Sequence, residues 1–176
     1  EIEIVTDNAL VDVIGKGFDA GVRLADAVPT DMVAIPIVPR VRSLVVGSPA
    51  YFSSRPRPRV PGDLHQHRCI RARMASGRLY RWEFERHGQS ILIDAPGSLT
   101  LDASDLMLSA ALDGAGLAYI SEASIIEHVA AGNLISVLED WSPPYSGLSL
   151  YFAQRRQMPA RLRALIELIR EQNASR

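Results

Sequence analysis

The stretch Ser98 to Glu122, SLTLDASDLMLSAALDGAGLAYISE, constrains the fold more than any other, because it spells strand, helix, glycine turn and strand in unbroken succession. Leu99 and Leu101 alternate with polar neighbours, as a half-buried strand requires. Asp102, Ser104 and Asp105 then supply side-chain oxygens where a helix start has unpaired N–H groups. From Leu106 the apolar Leu108, Ala111 and Leu112 recur at helical spacing, and Gly114 and Gly116 stand where a left-handed cap belongs. Leu117 to Ile120 is short and apolar, the signature of a buried parallel strand. Such a β-α-β unit leaves a helix N-terminus at the C-terminal edge of its sheet, where small ligands bind. Asp102 and Ser104 therefore have two readings, as caps that serve only the helix or as groups that meet a ligand.

The chain before this stretch reads as an opening β-α-β-β-β lobe. Ile2, Ile4 and Thr6 alternate with Glu3, Val5 and Asp7 in a half-buried strand, after which Asp7 or Asn8 caps a short helix carrying Leu10, Val11 and Ile14. Asp19 to Leu24, Met32 to Val38 and Arg42 to Gly47 are extended, the last two separated by Pro39. From Pro49 to Leu64 prolines and arginines interleave, including the run RPRPR, which reads as a solvated connector short of core-forming residues. Leu79 to Glu85 and Ser90 to Ala95 are strands joined at His87 and Gly88, with Tyr80, Trp82 and Phe84 on one core-facing side. Beyond Glu122 a helix carries Ile125, Ile126 and Val129, Leu134 to Leu138 and Leu148 to Ala153 are strands, and Leu162, Leu165, Ile166 and Ile169 form the apolar stripe of a last helix.

His65, His67 and Cys69 alternate, which would put three metal-ligand types on one strand face. They would spread over about 13 Å, and no second Cys or His cluster exists, so zinc is not expected. A Cys69 nucleophile is disfavoured too, since strand-mates two apart do not face each other as thiolate and base. The sequence lacks GxSxG, HExxH, P-loop and dinucleotide fingerprints, and no cofactor and no enzyme activity are expected. If a strand covers Cys69 to Arg73, Arg71 and Arg73 share a face that asks for an anion or for solvent. The formal charge of −1 argues against nucleic acid as the chain's main partner, although many of the arginines fall between 55 and 86 and allow local positive patches. Nothing resembles a signal peptide or an apolar run of about 18 residues, so no membrane partner and a cytoplasmic location are expected.

FDAGVRL at 18 to 24, SLVVGSPAYF at 43 to 52, PGDLHQHRCIR at 61 to 71, GRLYRWEF at 77 to 84 and DASDLMLSAALDGAGLAYISE at 102 to 122 together resemble, in order and spacing, the effector-binding domain of LysR-type transcriptional regulators. The resemblance implies an α/β fold of the two-lobed, type 2 periplasmic-binding-protein kind with two crossover strands, near Ser43 to Ser48 and Leu148 to Ala153. Lobe one would be 1 to 48 plus 149 to 176, incomplete at its N-terminus, and lobe two 49 to 148. A small effector, here expected to be an organic anion, would lie between the lobes against Asp7, Arg23, Leu24, Arg71, Arg73, Leu101, Asp102, Ser104 and Ser121. A homodimer or tetramer is implied as well, through Ile2, Ile4, Asn8, Val11, Ile125, Ile126 and Val129, unless these apolar residues face their own sheets. DNA would be bound only through an N-terminal helix-turn-helix domain outside this sequence. A solute-binding protein of a transporter is the alternative reading.

Overall fold

The computed structural model describes residues 2–6, 12–13, 15–154 and 158–174. In chain order its strands are β1 (Gly21–Leu24), β2 (Met32–Val41), β3 (Ser43–Gly47), β4 (Ile70–Ala72), β5 (Trp82–Arg86), β6 (Gln89–Ile93), β7 (Leu99–Leu101), β8 (Ala118–Ser121), β9 (Ile135–Val137) and β10 (Tyr145–Ala153). Its helices are α1 (Pro49–Phe52), α2 (Ser104–Leu112), α3 (Glu122–Ala130) and α4 (Ala160–Ala174). The chain divides into two units, Glu1–Val41 with Tyr145–Arg176, and Arg42–Pro144. Both divisions come earlier in the chain than the 48/49 and 148/149 of the sequence reading, because β3 pairs wholly inside the second unit and β10 wholly inside the first.

The first unit is built on an antiparallel sheet in the order β1-β10-β2. Pro36 and Pro39 lie on β2, and they are tolerated there because an edge strand need not donate on both sides. Alternation sets one face of the sheet. Val22, Leu150 and Ile35 are in register, as are Phe152 and Val33, and α4 lays Leu162 and Ile166 onto this face. The predicted stripe of the last helix is thus the packed one, with Leu165 and Ile169 completing the contact. Ile2 to Thr6, expected as a strand, belongs to no strand, and every side chain in it is exposed. Of the helix expected after it, residues 7–11 and 14 lie outside the described residues.

In the second unit β8-β3-β9 is antiparallel, β4 pairs parallel with β7, and a parallel bridge from Cys69 to Leu117 ties β4 to the residue before β8. Leu117 to Ile120 was expected to be parallel; only its first residue is, and its ladder with β3 runs antiparallel. The alternation of β3 divides two cores. Leu44 and Val46 join Ile70, Ala118 and Ile120 beneath Met107 and Ala111 of α2 and Ile125 of α3. Val45 joins Cys69, Leu117 and Val137 against Trp82, Phe84 and Ile93 of the β5–β6 hairpin, where Trp82 pairs with Ile93 and Phe84 with Ile91.

The glycine turn after α2 has two separate physical causes. Gly114 adopts φ 75° beyond the C-cap Asp113, its N–H donating to Ala111 O and that of Ala115 to Ala110 O, which satisfies the last carbonyls of the helix. Gly116 is needed for space, since a Cβ there would stand 2.5 Å from the carbonyl oxygen of Arg68.

Candidate functional site

The parallel pairing of β4 with β7 brings the ends of both strands and the start of α2 to one edge of the second unit. Arg71 stands beside Thr100 and Ala72 beside Leu101, and the Arg73 amide donates to Leu101 O at 2.7 Å. Three residues past Leu101, α2 begins. Its N-cap is Ala103, which carries no side-chain oxygen, while Asp102 and Ser104 are exposed on either side. The structure therefore brings together Arg71, Arg73, Leu101, Asp102 and Ser104. Leu101 contributes to the core beneath α2 and is only half-buried. Ser121 ends β8 opposite Ser43.

Arg71 and Arg73 do not act as the matched pair that their spacing suggested. The exposed Arg73 folds back on its own turn, Nη1 donating to Gly77 O at 2.9 Å. Arg71 is half-buried, and its Nε is buried without a hydrogen-bond acceptor, a condition shared with the indole nitrogens of Trp82 and Trp141. The other half-buried arginines of this unit are supplied. Arg42 makes a two-pronged bond to Glu122 at the start of α3, with Nε to Oε2 at 3.1 Å, and this bond raises the Arg42 pKa. Arg86 pairs with Asp140 at 3.1 Å, and Arg55 lies 4.8 Å from the Tyr51 ring centroid. No carboxylate among the described residues pairs with Arg71. A desolvated donor left unsatisfied costs about 1–3 kcal/mol, so an acceptor brought by a ligand has a free-energy gradient to follow.

In the first unit, Arg23 on β1 places its guanidinium 4.9 Å from the ring centroid of Tyr151 on β10. Leu24 ends β1 with 39% of its surface exposed. Asp7 lies outside the described residues, as do Asn8 and Val11. Among the residues expected at a subunit interface, Ile125 is corrected: it is fully buried beneath its own sheet, and neighbouring Ile126, 60% exposed, is the outward residue of α3. Val129 is half-buried against the same core, whereas Ile2 and Ile4 are exposed.

The alternating metal face does not form, because His65 sits in a 3-10 turn, Pro61–Gln66, and only the residues from Ile70 onward are strand. Among the described residues no group of His, Cys, Asp or Glu could hold a metal. Burial pushes the Cys69 thiol up to about 12, which disfavours the thiolate that a metal ligand or a nucleophile needs. Sequence reasoning overlooked a buried polar knot in its place. Ser48 caps α1 by accepting the Tyr51 amide at 3.2 Å, the Tyr51 hydroxyl accepts the Arg68 amide at 3.0 Å, and His67 Nδ1 lies 3.2 Å from that hydroxyl. The signal was the Ser-Pro pair at 48 and 49, a helix cap followed by a first-turn proline. A hollow of 380 Å³ in the first unit, lined by Val33, Ile35, Phe152, Met158 and Ile166, touches none of the expected site residues.

The profile of the LysR substrate binding domain matches residues 1–174. The chain is 38% identical over 170 residues to the uncharacterised HTH-type transcriptional regulator YcaN of Escherichia coli, covering 97% of this chain and 55% of the relative. It is 35% identical over 175 residues to the HTH-type transcriptional regulator PgrR of the same organism, covering 99% and 58%. It therefore spans little more than half the length of these relatives. In three dimensions it is similar to the full-length Vibrio cholerae virulence activator AphB, with TM-score 0.80, 24% identity and coverage of 95% of this chain and 56% of that one. It is also similar to the regulatory domain of CrgA from Neisseria meningitidis, with TM-score 0.75, 20% identity and coverage of 93% and 79%. These likenesses establish the two-lobed, type 2 periplasmic-binding-protein-like α/β fold.

Proposed function

The chain belongs to the LysR substrate-binding domain family of transcriptional regulators, and we propose from that footing that it senses a small organic anion and transmits its binding to a DNA-reading domain elsewhere in the full-length protein. The observation that carries the ligand class is Arg71, a half-buried guanidinium with a buried and unsatisfied Nε at the C-terminal edge of parallel strands. Arg73, Leu101, Asp102, Ser104 and Ser121 are the further contacts proposed on its unit, and Arg23 and Leu24 those on the other, with Asp7 carried over from the family resemblance. The relatives are regulators, which does not favour the transporter reading. A role in regulation without catalysis, a cytoplasmic location and a dimer or tetramer formed through Ile2, Ile4, Ile126 and Val129 belong to the same proposal. No helix among the described residues is long and apolar enough to cross a membrane.

Footprinting the full-length regulator on its own promoter region, with and without a panel of small organic acids, tests this reading. The expected result is a footprint whose extent changes with one class of acid. A footprint that no acid alters would reject the organic-anion assignment, and the absence of any footprint would reject the regulator assignment.

A further inference from the structure

We infer that the arginine face around α1 is a docking surface for the phosphodiester backbone of duplex nucleic acid, separate from the edge that carries Arg71. Between Pro49 and Arg68 the sequence has four arginines, Arg55, Arg57, Arg59 and Arg68, and one carboxylate, Asp63. That carboxylate is committed to the chain itself, accepting the amides of Arg59 at 2.8 Å and Val60 at 3.1 Å. The RPRPR run is not a loose connector. Arg55 lies 4.8 Å and Arg68 5.8 Å from the ring centroid of Tyr51, and Arg57 lies 5.9 Å from that of Phe52, whose ring meets Tyr51 edge-on at 5.5 Å. Tyr51 is 2% exposed.

Two guanidiniums held on one ring stand within about 11 Å of each other and repel, a repulsion that a bound polyanion reverses. Ring contact fixes each guanidinium plane and leaves N–H edges for bidentate bonds to phosphate oxygens. These guanidiniums are distributed over two adjacent rings, those of Tyr51 and Phe52, and a polyanion can offer each of them its own phosphate. The overall charge of −1 means that this face adds a modest, sequence-independent grip.

The inference rests on the regulator reading only for the presence of a duplex. Fluorescence anisotropy of a labelled duplex of arbitrary sequence, titrated with the purified 176-residue chain over a range of low salt concentrations, measures the slope of log affinity against log salt. The Arg55→Gln/Arg57→Gln/Arg68→Gln variant is expected to flatten that slope by about 2.7, and Arg57→Gln alone by about 0.9, from counterion release at each lost contact. The corresponding triple Lys variant should keep the slope, as should Arg170→Gln on α4, and circular dichroism checks that each variant is folded. A slope that Arg57→Gln and the triple variant leave unchanged overturns the inference, as does the absence of salt-dependent binding by the native chain. Displacement by dilute inorganic phosphate as complete as by unlabelled duplex assigns the face to a small ion and also overturns it. Failure of the full-length protein to footprint a promoter would leave this slope experiment untouched.

Discussion

The Tyr51 hydroxyl lies 3.2 Å from Nδ1 of buried His67 while it accepts the Arg68 amide at 3.0 Å, an arrangement that suits a neutral imidazole holding a lone pair on Nδ1. Burial holds the His67 pKa below its usual value, helped by nearby Arg55 and partly opposed by Asp63. The unfolded chain therefore binds the proton more tightly than the folded one. Stability is intact above the ordinary histidine pKa of about 6.5 and declines as pH falls below it toward the lower folded value. Thermal melts between neutral and mildly acidic pH should show this decline, and His67→Gln should flatten it. Asp63, whose pKa is lowered by the two amides it accepts, contributes a separate loss only below about pH 4. An unchanged slope in His67→Gln would remove His67 as the cause.

Gly97 marks the point where the chain entering β7 crosses β4. A Cβ there would stand 1.9 Å from the carbonyl oxygen of Cys69, next to the 2.8 Å bond from the Cys69 amide to Pro96 O. Backbone cannot yield as a flexible side chain can, so Gly97→Ala should destabilise by about 3 kcal/mol, the upper part of the overpacking range. Gly62→Ala meets open space and should stay within about 0.5 kcal/mol of the parent. Urea denaturation of both variants checks the pair, and equal midpoints would contradict the close crossing.

The elements that sequence reading located well are those whose local signals agree. The apolar spacing and paired glycines of 102 to 122 foretold α2 and its glycine exit, although no side chain caps the start of that helix, and the stripe of the last helix foretold the face that α4 buries. Pairing was less legible. Nothing local in Leu117 to Ile120 says that β3, more than 70 residues earlier, will run antiparallel beside it, since apolar strands look alike whichever way their neighbours point. Proline at 39 suggested a strand break, but an edge position let β2 continue to Val41. At the site, spacing put Arg71 and Arg73 on one strand, but β4 ends at Ala72 and Arg73 lies one residue past it, and which guanidinium found a partner depended on a turn carbonyl at Gly77 that no side-chain pattern announces. The α1 knot escaped for the same reason, being held by backbone amides as much as by side chains.

Ile125 and Ile126 separate folding from association on α3. Ile125→Ala empties a fully buried position and should lower stability by about 2–5 kcal/mol. Ile126→Glu changes a residue 60% exposed and should leave stability within about 0.5 kcal/mol while weakening self-association, if this face meets a second copy. Analytical ultracentrifugation over a dilution series decides the matter, with Val129→Glu as a second probe. Identical sedimentation of the parent and both glutamate variants would take α3 out of the interface.

Arg71 distinguishes a ligand contact from a structural residue by the sign of its effect without ligand. A structural arginine stabilises the empty domain, but one whose buried Nε has no acceptor does not, so Arg71→Met should leave the melting temperature unchanged or raise it. With an effector acid present the order reverses. An acid at 100 times its dissociation constant stabilises the parent by about 2.7 kcal/mol. Loss of a charge-assisted bond of about 1.5–3 kcal/mol should weaken binding in the variant by roughly 10- to 150-fold and remove most of that shift. Asp102, exposed beside the start of α2, supplies the opposing test. Its carboxylate repels an acid, so Asp102→Asn should strengthen binding of a purely anionic effector and weaken that of a zwitterion, whose ammonium it would meet. A thermal-shift screen of carboxylates and amino acids on the full-length parent and both variants reads all of these outcomes. A melting temperature that falls in Arg71→Met without ligand, together with an acid-induced shift as large as the parent's, would place Arg71 in the framework of the domain and not in its site.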